Sequence, residues 1–255
     1  MDNQPPQVKS FGDLCHLSET ADGKISRFAV TTRDYQVWIG EAPVSLNTLS
    51  LEDITDNLKS VIPDEDVYPE APSHITTASV SIDSNIFVKG PKIGSYNELV
   101  GTDTLPKLLL QEAEILEILR RNQHQNIIQY HGVIVRRGRI VGLALDRHPR
   151  TLELEARLQK RKINYDMCFD AIKAAVNHLH SLGLAHNDLN PNNIMMDKGG
   201  RPILVDYGSC QPFGKPLLTA GTPGWCDENF TTSAQQNDEF SLKQLQIWLQ
   251  NKVIK

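Results

Sequence analysis

The chain has 255 residues, of which 26 are lysine or arginine and 31 are aspartate or glutamate, so its formal charge at pH 7 is −5. Hydrophobic residues make up 40% and charged residues 22%, which is typical of soluble globular proteins and excludes a disordered chain, a collagen or a coiled coil. The slightly acidic balance also disfavours nucleic acid and anionic membranes as partners, because both require a basic surface.

Sequence features of secreted, metal-binding and membrane proteins are missing. The four cysteines include no CxxC pair and the eight histidines show no HExxH spacing, which leaves free thiols in a reducing compartment as the simplest interpretation. The polar N-terminus carries Asp2 and is unlike a secretory signal, and the longest apolar runs are far shorter than a membrane span of about 20 residues. We therefore expect a soluble intracellular protein, in the cytoplasm or the nucleus.

Residues 1–72 are predicted to form an N-terminal extension with short strands and one helix. Alternating apolar residues between 24 and 40 predict two strands. The segment Ser50–Asp53 has the form of a capping box, and apolar residues follow at helical spacing as far as Val61. Residues 63–72 contain three prolines and four acids, which predicts an extended linker that ends at a domain boundary.

Residues 73–146 are predicted to form a small lobe that is rich in strands. Apolar residues between 80 and 88 suggest a hairpin. A strong amphipathic helix is expected from about Leu105 to Arg121, and residues 127–135 and 139–145 favour two further strands.

Residues 147–255 are predicted to form a second lobe that is rich in helices. The pattern predicts a long helix from Asn164 to Gly183, a short hairpin over 194–205 and a final helix from about Asp238. The chain therefore favours an α+β fold of two lobes, and a cleft between two lobes is a common place for a ligand.

The strongest chemical signal lies in residues 186–193, which read His-Asn-Asp-Leu-Asn-Pro-Asn-Asn and lead into a strand. Thirteen residues after Asn193, Asp206 begins an Asp-Tyr-Gly triplet at the end of the next strand. A carboxylate and an amide oxygen are ligands that suit a hard cation such as Mg2+. Asp188, on the preceding loop, could accept a proton from a hydroxyl nucleophile.

These residues resemble the catalytic loop HRDxxxxN and the downstream DFG triplet of the protein-kinase superfamily. Four residues separate Asp188 from Asn193, as that pattern requires. The resemblance implies the two-lobed kinase fold and an enzyme that uses ATP and Mg2+ to phosphorylate serine or threonine in a protein substrate. It makes Asp188 the catalytic base, while Asn193 and Asp206 would hold Mg2+ and help to bind ATP.

A lysine and a glutamate extend the resemblance upstream. On the helix predicted over 105–121, Glu112 projects into the middle of the apolar face, and a carboxylate buried there needs a cation. Kinases pair a glutamate of this helix with a strand lysine that holds the α- and β-phosphates of ATP. Lys89 resembles that lysine because it ends an Ile-Phe-Val-Lys run, and Lys92 is the alternative.

Other segments extend the resemblance over about residues 75–250. Asp146 and His148 fall where the family links its lobes and where its backbone binds adenine. The segment Gly221–Trp225 resembles the end of an activation segment, and Asp238 resembles the aspartate that braces the catalytic loop. The combination is similar to divergent kinase-like proteins of fungi.

Three departures from the family pattern affect function. No glycine occurs between Ser73 and Lys89, where the family has its phosphate-covering loop. The nucleotide is therefore expected to be bound more loosely or by a loop of different structure. Asn187 replaces the arginine that receives an activation-segment phosphate, so phosphorylation is not expected to switch activity on. Asn190 replaces a lysine that touches the transferred phosphate, which is expected to lower the rate without abolishing it.

The last segment also departs from the pattern. Only 13 residues follow Leu242, so the second lobe is expected to be incomplete after its central helix. The final helix is apolar on both sides, because Phe240 and Trp248 lie opposite Leu242 and Leu245. We hypothesise that a partner chain covers the second side or that the sequence is a truncated product.

Two other functions stay open at this stage. The missing glycines and the short second lobe favour a pseudokinase that binds nucleotide or acts as a scaffold. Small-molecule kinases of the aminoglycoside type share a similar HxDxxxxN loop. The segment Gly221–Trp225 argues against them, because it resembles the peptide-binding end of a protein kinase.

Overall fold

The computed structural model describes residues 5–11, 14–99, 101–158, 163–219 and 221–253. Its strands are β1 (Leu14–Glu19), β2 (Ser26–Thr31), β3 (Val37–Ala42), β4 (Leu58–Ile62), β5 (Ile86–Lys89), β6 (Tyr130–Arg136), β7 (Arg139–Asp146), β8 (Arg150–Thr151), β9 (Leu184–Ala185), β10 (Ile194–Met196), β11 (Pro202–Leu204) and β12 (Gln211–Pro212). Its α-helices are α1 (Leu51–Asp56), α2 (Asp64–Val67), α3 (Tyr96–Leu99), α4 (Thr104–Arg121), α5 (Leu152–Leu158), α6 (Tyr165–Ser181) and α7 (Gln235–Val253). This mixture of strands and helices confirms the predicted α+β class.

The chain divides into two compact units, each assembled from several segments. The first unit comprises residues 1–74, 89–110 and 133–142, and the second comprises residues 75–88, 111–132 and 143–255. The predicted division into 1–72, 73–146 and 147–255 stays a prediction about domains.

In the first unit, an antiparallel meander of order β1–β2–β3–β4 packs against α1. Ser50 forms the predicted capping box, because its Oγ accepts from Asp53 N (3.0 Å) and Asp53 Oδ2 accepts from Ser50 N (2.9 Å). The helix does not continue to Val61 as predicted but ends at Asp56. The residues after it form β4, because pairing with β3 outweighs the local helical spacing.

The predicted linker over residues 63–72 is wrong. This segment contains α2 and the fully buried Tyr68. Ala71 N donates to Gly138 O (3.0 Å), and Pro69 O accepts from Ile140 N (2.9 Å). The segment is therefore part of the first unit, since its backbone is hydrogen-bonded to β7 and to the turn before it.

The predicted hairpin over residues 80–91 is also wrong. Residues 75–85 are all described and form no β-strand, and only β5 is present. Thr76 anchors this segment, because its N and Oγ1 donate to the buried carboxylate of Glu117 at 2.9 and 3.1 Å. The segment also passes close to Gly132, whose φ is +122°, and a Cβ there would lie 2.6 Å from Thr76 O. These non-local contacts fix the backbone around residues 76–78.

In the second unit, the predicted helix α6 is confirmed, and Asn164 forms its N-terminal cap, since Asn164 Oδ1 accepts from Met167 N at 3.1 Å. Its buried face packs against β9, β11 and α7. The short hairpin of β10 and β11 is confirmed as well, with Ile194 opposite Leu204. Strands β5, β7 and β6 form a three-stranded sheet in that order, and its residues are divided between the two units.

The final helix α7 buries Leu242, Leu245 and Leu249, as predicted for one of its sides. On the other side, Trp248 contacts Trp225 edge-on at 6.4 Å between ring centroids, and Phe240 contacts Phe230 at 6.2 Å. Aromatic residues of the same chain therefore contact the side of α7 that carries Phe240 and Trp248. The partner chain stays a prediction. Among the helices of the described ranges, none is long and apolar enough to cross a membrane.

Candidate active site

Asp238, near the start of α7, holds the backbone of the loop that follows β9. Its fully buried carboxylate accepts from His186 N through Oδ2 (2.9 Å) and from Asn187 N through Oδ1 (2.8 Å). His180 Nε2, on α6, lies 2.9 Å from the same Oδ2. The bracing role expected for Asp238 is confirmed, whereas sequence reasoning missed the contribution of His180.

The Asp188 carboxylate is held by hydrogen bonds from both sides. Its Oδ2 accepts from Asn193 Nδ2 at 2.9 Å. Its Oδ1 accepts from Thr222 N (2.9 Å) and Thr222 Oγ1 (2.7 Å). Thr222 is a site residue that sequence reasoning missed, although it lies within the segment Gly221–Trp225 that the resemblance singled out.

Asn193 and Asp206 are brought together by the hairpin of β10 and β11. Val205 N donates to Asn193 O at 2.9 Å, which places the next residue, Asp206, beside Asn193. Asp206 has a φ of +61°, in the left-handed region that costs a non-glycine residue about 1–2 kcal/mol. Its Oδ1 accepts from Gly208 N at 3.3 Å.

The donor chemistry of this pair fits Mg2+. Asn193 Nδ2 donates to both Asp188 O (2.8 Å) and Asp188 Oδ2, so the two amide hydrogens are used within the loop. The amide oxygen of Asn193 and the carboxylate of Asp206 are hard oxygen donors of the kind that Mg2+ prefers.

Glu112 links α4 to the Asp-Tyr-Gly triplet. Only 4% of its surface is exposed, as its place on the apolar face of the helix predicts, and its Oε1 accepts from Tyr207 N at 3.1 Å. Tyr207 is itself buried, which raises the pKa of its phenol well above the ordinary value. His186 Nε2 donates to Val205 O at 3.0 Å and so binds the catalytic loop to the strand end before the triplet.

Lys89 ends β5 and is half-buried, whereas Lys92 is exposed. This difference in burial favours Lys89 over Lys92 as the lysine that would pair with a buried carboxylate. Lys89 belongs to the first unit and Glu112 to the second. Their pairing therefore stays a prediction.

Asp146 and His148 lie in an ordered segment at the end of β7. The Asp146 carboxylate accepts from His131 Nε2 at 2.8 Å. The Arg147 guanidinium donates to Ile86 O at 2.9 Å. Burial lowers the pKa of the His148 imidazole, which favours its neutral form. Backbone binding of adenine at this segment stays a prediction.

Asn187 ties the activation segment to the catalytic loop, a role that sequence reasoning missed. Its Nδ2 lies 3.0 Å from each of three acceptors, which are Ala185 O, Ser209 O and Ser233 Oγ. Its Oδ1 accepts from Asn237 Nδ2, also at 3.0 Å. A neutral, buried amide therefore makes these contacts at the position where the family pattern has a charged arginine.

Asn190 is turned into the loop. It is 2% exposed, and its Nδ2 donates to Asp188 Oδ1 (3.2 Å) and Thr222 Oγ1 (3.1 Å). Its Oδ1 accepts from Asn192 N at 2.9 Å. Asn190 thus helps to hold the aspartate and the threonine together, with its amide hydrogens committed inside the loop.

The chain matches the family model of the protein kinase domain over residues 96–240, which is more than half of its length. It therefore belongs to the protein kinase domain family. The matched range contains Glu112, Asp188, Asn193 and Asp206, and it begins after Lys89.

Curated relatives match a similar stretch of the chain. CBL-interacting protein kinase 5 of Oryza sativa subsp. japonica is 31% identical over 119 residues, covering 43% of this chain and 25% of that protein. CBL-interacting serine/threonine-protein kinase 15 of Arabidopsis thaliana is 28% identical over 119 residues, covering 43% and 28%. Serine/threonine-protein kinase/endoribonuclease IRE1 of Hypocrea jecorina is 34% identical over 133 residues, covering 43% and 10%. The chain thus spans less than a third of the length of these relatives.

Among solved structures, the Cydia pomonella granulovirus kinase PK-1 is similar to this chain with a TM-score of 0.45 and 21% sequence identity. The similarity covers 53% of each chain.

Proposed function

We propose that this protein is an ATP-dependent serine/threonine protein kinase, which transfers the γ-phosphoryl group of Mg-ATP to a hydroxyl of a protein substrate. The observation that carries the proposal is the geometry of the Asp188 carboxylate, which lies 2.9 Å from Asn193 Nδ2 and 2.7 Å from Thr222 Oγ1. Membership of the protein kinase family supports phosphoryl transfer, and the serine/threonine kinases among the relatives support the type of acceptor.

Asp188 would orient the substrate hydroxyl and accept its proton. Its hydrogen bonds restrict the carboxylate to one orientation before substrate binds, so little orientational entropy remains to be lost in the reaction. In this chemistry, positioning and electrostatic stabilisation supply most of the catalysis.

The remaining residues would hold the nucleotide. Asn193, through its amide oxygen, and Asp206, through its carboxylate, would bind Mg2+, which neutralises charge on the phosphates when it is bound. Lys89 would contact the phosphates. Glu112 fixes the Asp206 triplet through the backbone of Tyr207. The backbone at Asp146 and His148 would bind adenine.

A pseudokinase is the second candidate, and one observation favours it. Residues 75–85, which precede β5, form no strand and contain no glycine, so they do not supply the loop that covers the phosphates in the family. Such a protein would bind nucleotide weakly or act as a scaffold.

Melting temperature measured with ATP, with and without Mg2+, tests the nucleotide site. At about 100 times its dissociation constant, Mg-ATP is expected to stabilise the wild type by about 2.7 kcal/mol. Asp206→Asn is expected to lose most of this magnesium-dependent gain, whereas Asp170→Asn, at an exposed position on α6, is the matched control and keeps it. No stabilisation of the wild type by Mg-ATP would contradict the kinase and leave only a scaffold, and stabilisation without phosphoryl transfer would select a pseudokinase that binds nucleotide.

A further inference from the structure

The side chain of Asn237, near the start of α7, bonds to two other parts of the chain. Its Nδ2 donates to Asn187 Oδ1 (3.0 Å) and to Thr232 O (2.8 Å). Asn187 directly precedes Asp188 in the catalytic loop, and Thr232 lies near the end of the activation segment (residues 206–233). Asn237 therefore links α7 to both the loop and the segment.

The hydrogen bond from Asn237 fixes the direction in which the Asn187 amide faces. Asn187 Oδ1 accepts from Asn237, so the Nδ2 of Asn187 must face the other side. There it lies 3.0 Å from each of three acceptors, which are Ala185 O, Ser209 O and Ser233 Oγ. The reversed amide would place its oxygen against two carbonyl oxygens, and these can only accept. One donor group on α7 therefore sets the orientation of an amide in the catalytic loop.

These hydrogen bonds hold both ends of the activation segment. Ser209 lies near its start, and Ser233, at its end, extends the contact because its Oγ donates to Gln211 O at 2.9 Å. Thr222 lies between the two ends, and it donates to Asp188 Oδ1 through its N (2.9 Å) and its Oγ1 (2.7 Å). The same set of contacts therefore fixes the residue next to Asp188 and the segment that supplies two hydrogen bonds to its carboxylate.

Four side chains form this amide network and all are buried, namely Asn187, Ser209, Ser233 and Asn237. The Oδ1 of Asn237 is buried as well, and it has no hydrogen-bond partner within the part of the chain that the structure describes. An unpaired buried acceptor lowers stability, and an apolar side chain at position 237 would avoid that cost. An amide at this position therefore points to a role other than packing.

We propose that Asn237 is a positioning residue of the active site, which acts through Asn187 to hold Asp188 and Thr222 in the arrangement that phosphoryl transfer needs. The inference rests on the proposed kinase function and deepens it, because it assigns the ordering of the site to a buried pair of amides on α7 and the catalytic loop. Such a pair carries no charge, so the arrangement is set by hydrogen-bond direction and is present in the folded chain before any substrate binds.

Steady-state kinetics of the full chain with Asn237→Ala test the inference. The kcat is expected to fall about tenfold, because a neutral hydrogen bond contributes about that factor. The KM for ATP is expected to stay unchanged, since Asn193 and Asp206 do not belong to the amide network. The control Asn229→Ala makes the same substitution at an exposed position of the same segment and is expected to leave both values unchanged.

A second variant, Asn187→Gly, removes the amide that Asn237 orients. Asn187 has a φ of +63°, which glycine adopts without strain, so the effect of the variant reports the lost hydrogen bonds. Hydrogen exchange, measured by mass spectrometry, is expected to become faster over residues 207–213 and 230–234 in this variant. The double variant Asn187→Gly/Asn237→Ala is expected to lose no more kcat than Asn187→Gly alone, because Asn237 acts through Asn187.

Two outcomes would overturn the inference: an Asn237→Ala variant with the kcat and the exchange of the wild type, or a double variant whose loss of kcat is the product of the two single losses. Because exchange is measured without phosphoryl transfer, the inference and the proposed function fail separately. A wild type that transfers no phosphate removes the enzyme, and exchange then decides whether the two amides hold the segment. Transfer that is insensitive to Asn237→Ala leaves the enzyme and removes the positioning residue.

Discussion

The orientation of Asp188 does not depend on a lysine in the catalytic loop. Asn193 and Thr222 bind its two carboxylate oxygens, and Asn190 binds both the aspartate and the threonine. Under the proposed function, the amide of Asn190 would help to position Asp188, as the family's lysine does, but it carries no positive charge. Stabilisation of charge on a transferred phosphate would therefore be weaker than the family pattern provides.

Glu112 has a structural role that can be measured apart from catalysis. Glu112→Leu leaves Tyr207 N without its acceptor in a buried site, so we expect the free energy of unfolding to fall by about 1–3 kcal/mol. Glu112→Gln keeps an amide oxygen at this position and is expected to recover most of the loss. Urea denaturation of the three proteins checks this expectation. Equal destabilisation by both substitutions would show that the hydrogen bond to Tyr207 is not the cause.

At the residue scale, the sequence predicted the site residues that follow a short, fixed spacing and did not reveal contacts between residues far apart in the chain. The interval from Asp188 to Asn193 and the triplet at Asp206 were predicted from the family pattern, and the structure brings these three residues together. The contacts of Asn187 with Ser209 and of Asp188 with Thr222 join residues 22 and 34 positions apart. A single sequence carries no spacing signal for such pairs, so these partners became visible only in the folded chain.

The part of the activation segment around Ser209 is held in place by uncharged contacts. Its strand β12 pairs with β9, and Asn187 Nδ2 lies 3.0 Å from Ser209 O. Thr219 Oγ1 lies 2.7 Å from Ser209 Oγ, so this threonine is already bonded within the segment without a phosphate. A negative charge added at Thr219 cannot form an ion pair with residue 187, because Asn187 has no guanidinium.

We therefore expect Thr219→Glu to leave the rate of phosphoryl transfer unchanged or lower. Thr219→Gln is the uncharged control for loss of the hydroxyl, and the initial rate of transfer to one protein substrate is the measurement. A gain of about tenfold in the glutamate variant alone would show that the segment responds to charge, as in kinases with the arginine.

At the element scale, the sequence predicted the helices whose own residues form a clear amphipathic pattern. Helices α4 and α6 have amphipathic faces, so all four of their boundaries were predicted to within two residues. The same reasoning failed at β4, where Leu58 and Val61 also fit a helical spacing. Pairing with β3 decides that segment, and its register joins Trp38 to Val61.

At the scale of the whole molecule, the N-terminal extension is part of a larger unit. Arg137, in the turn before β7, donates to both carboxylate oxygens of Asp64 at 2.6 and 3.1 Å. Tyr96 OH, in the range matched by the kinase family, donates to Asp66 Oδ2 at 3.3 Å. The three prolines and four acids of residues 63–72 predict a linker, and nothing in the sequence alone shows that Tyr68 is buried. These contacts join the extension to the kinase domain.

Transfer of labelled γ-phosphate from ATP to a generic protein substrate tests the central claim most directly, with the wild type and Asp188→Asn compared side by side. The wild type is expected to transfer phosphate. The variant is expected to lose about 100-fold or more of the rate, because a positioned general base contributes about that factor. Its stabilisation by Mg-ATP is expected to stay. Equal rates in the two proteins would contradict the assignment of Asp188, and no transfer by a wild type that binds Mg-ATP would contradict the enzyme.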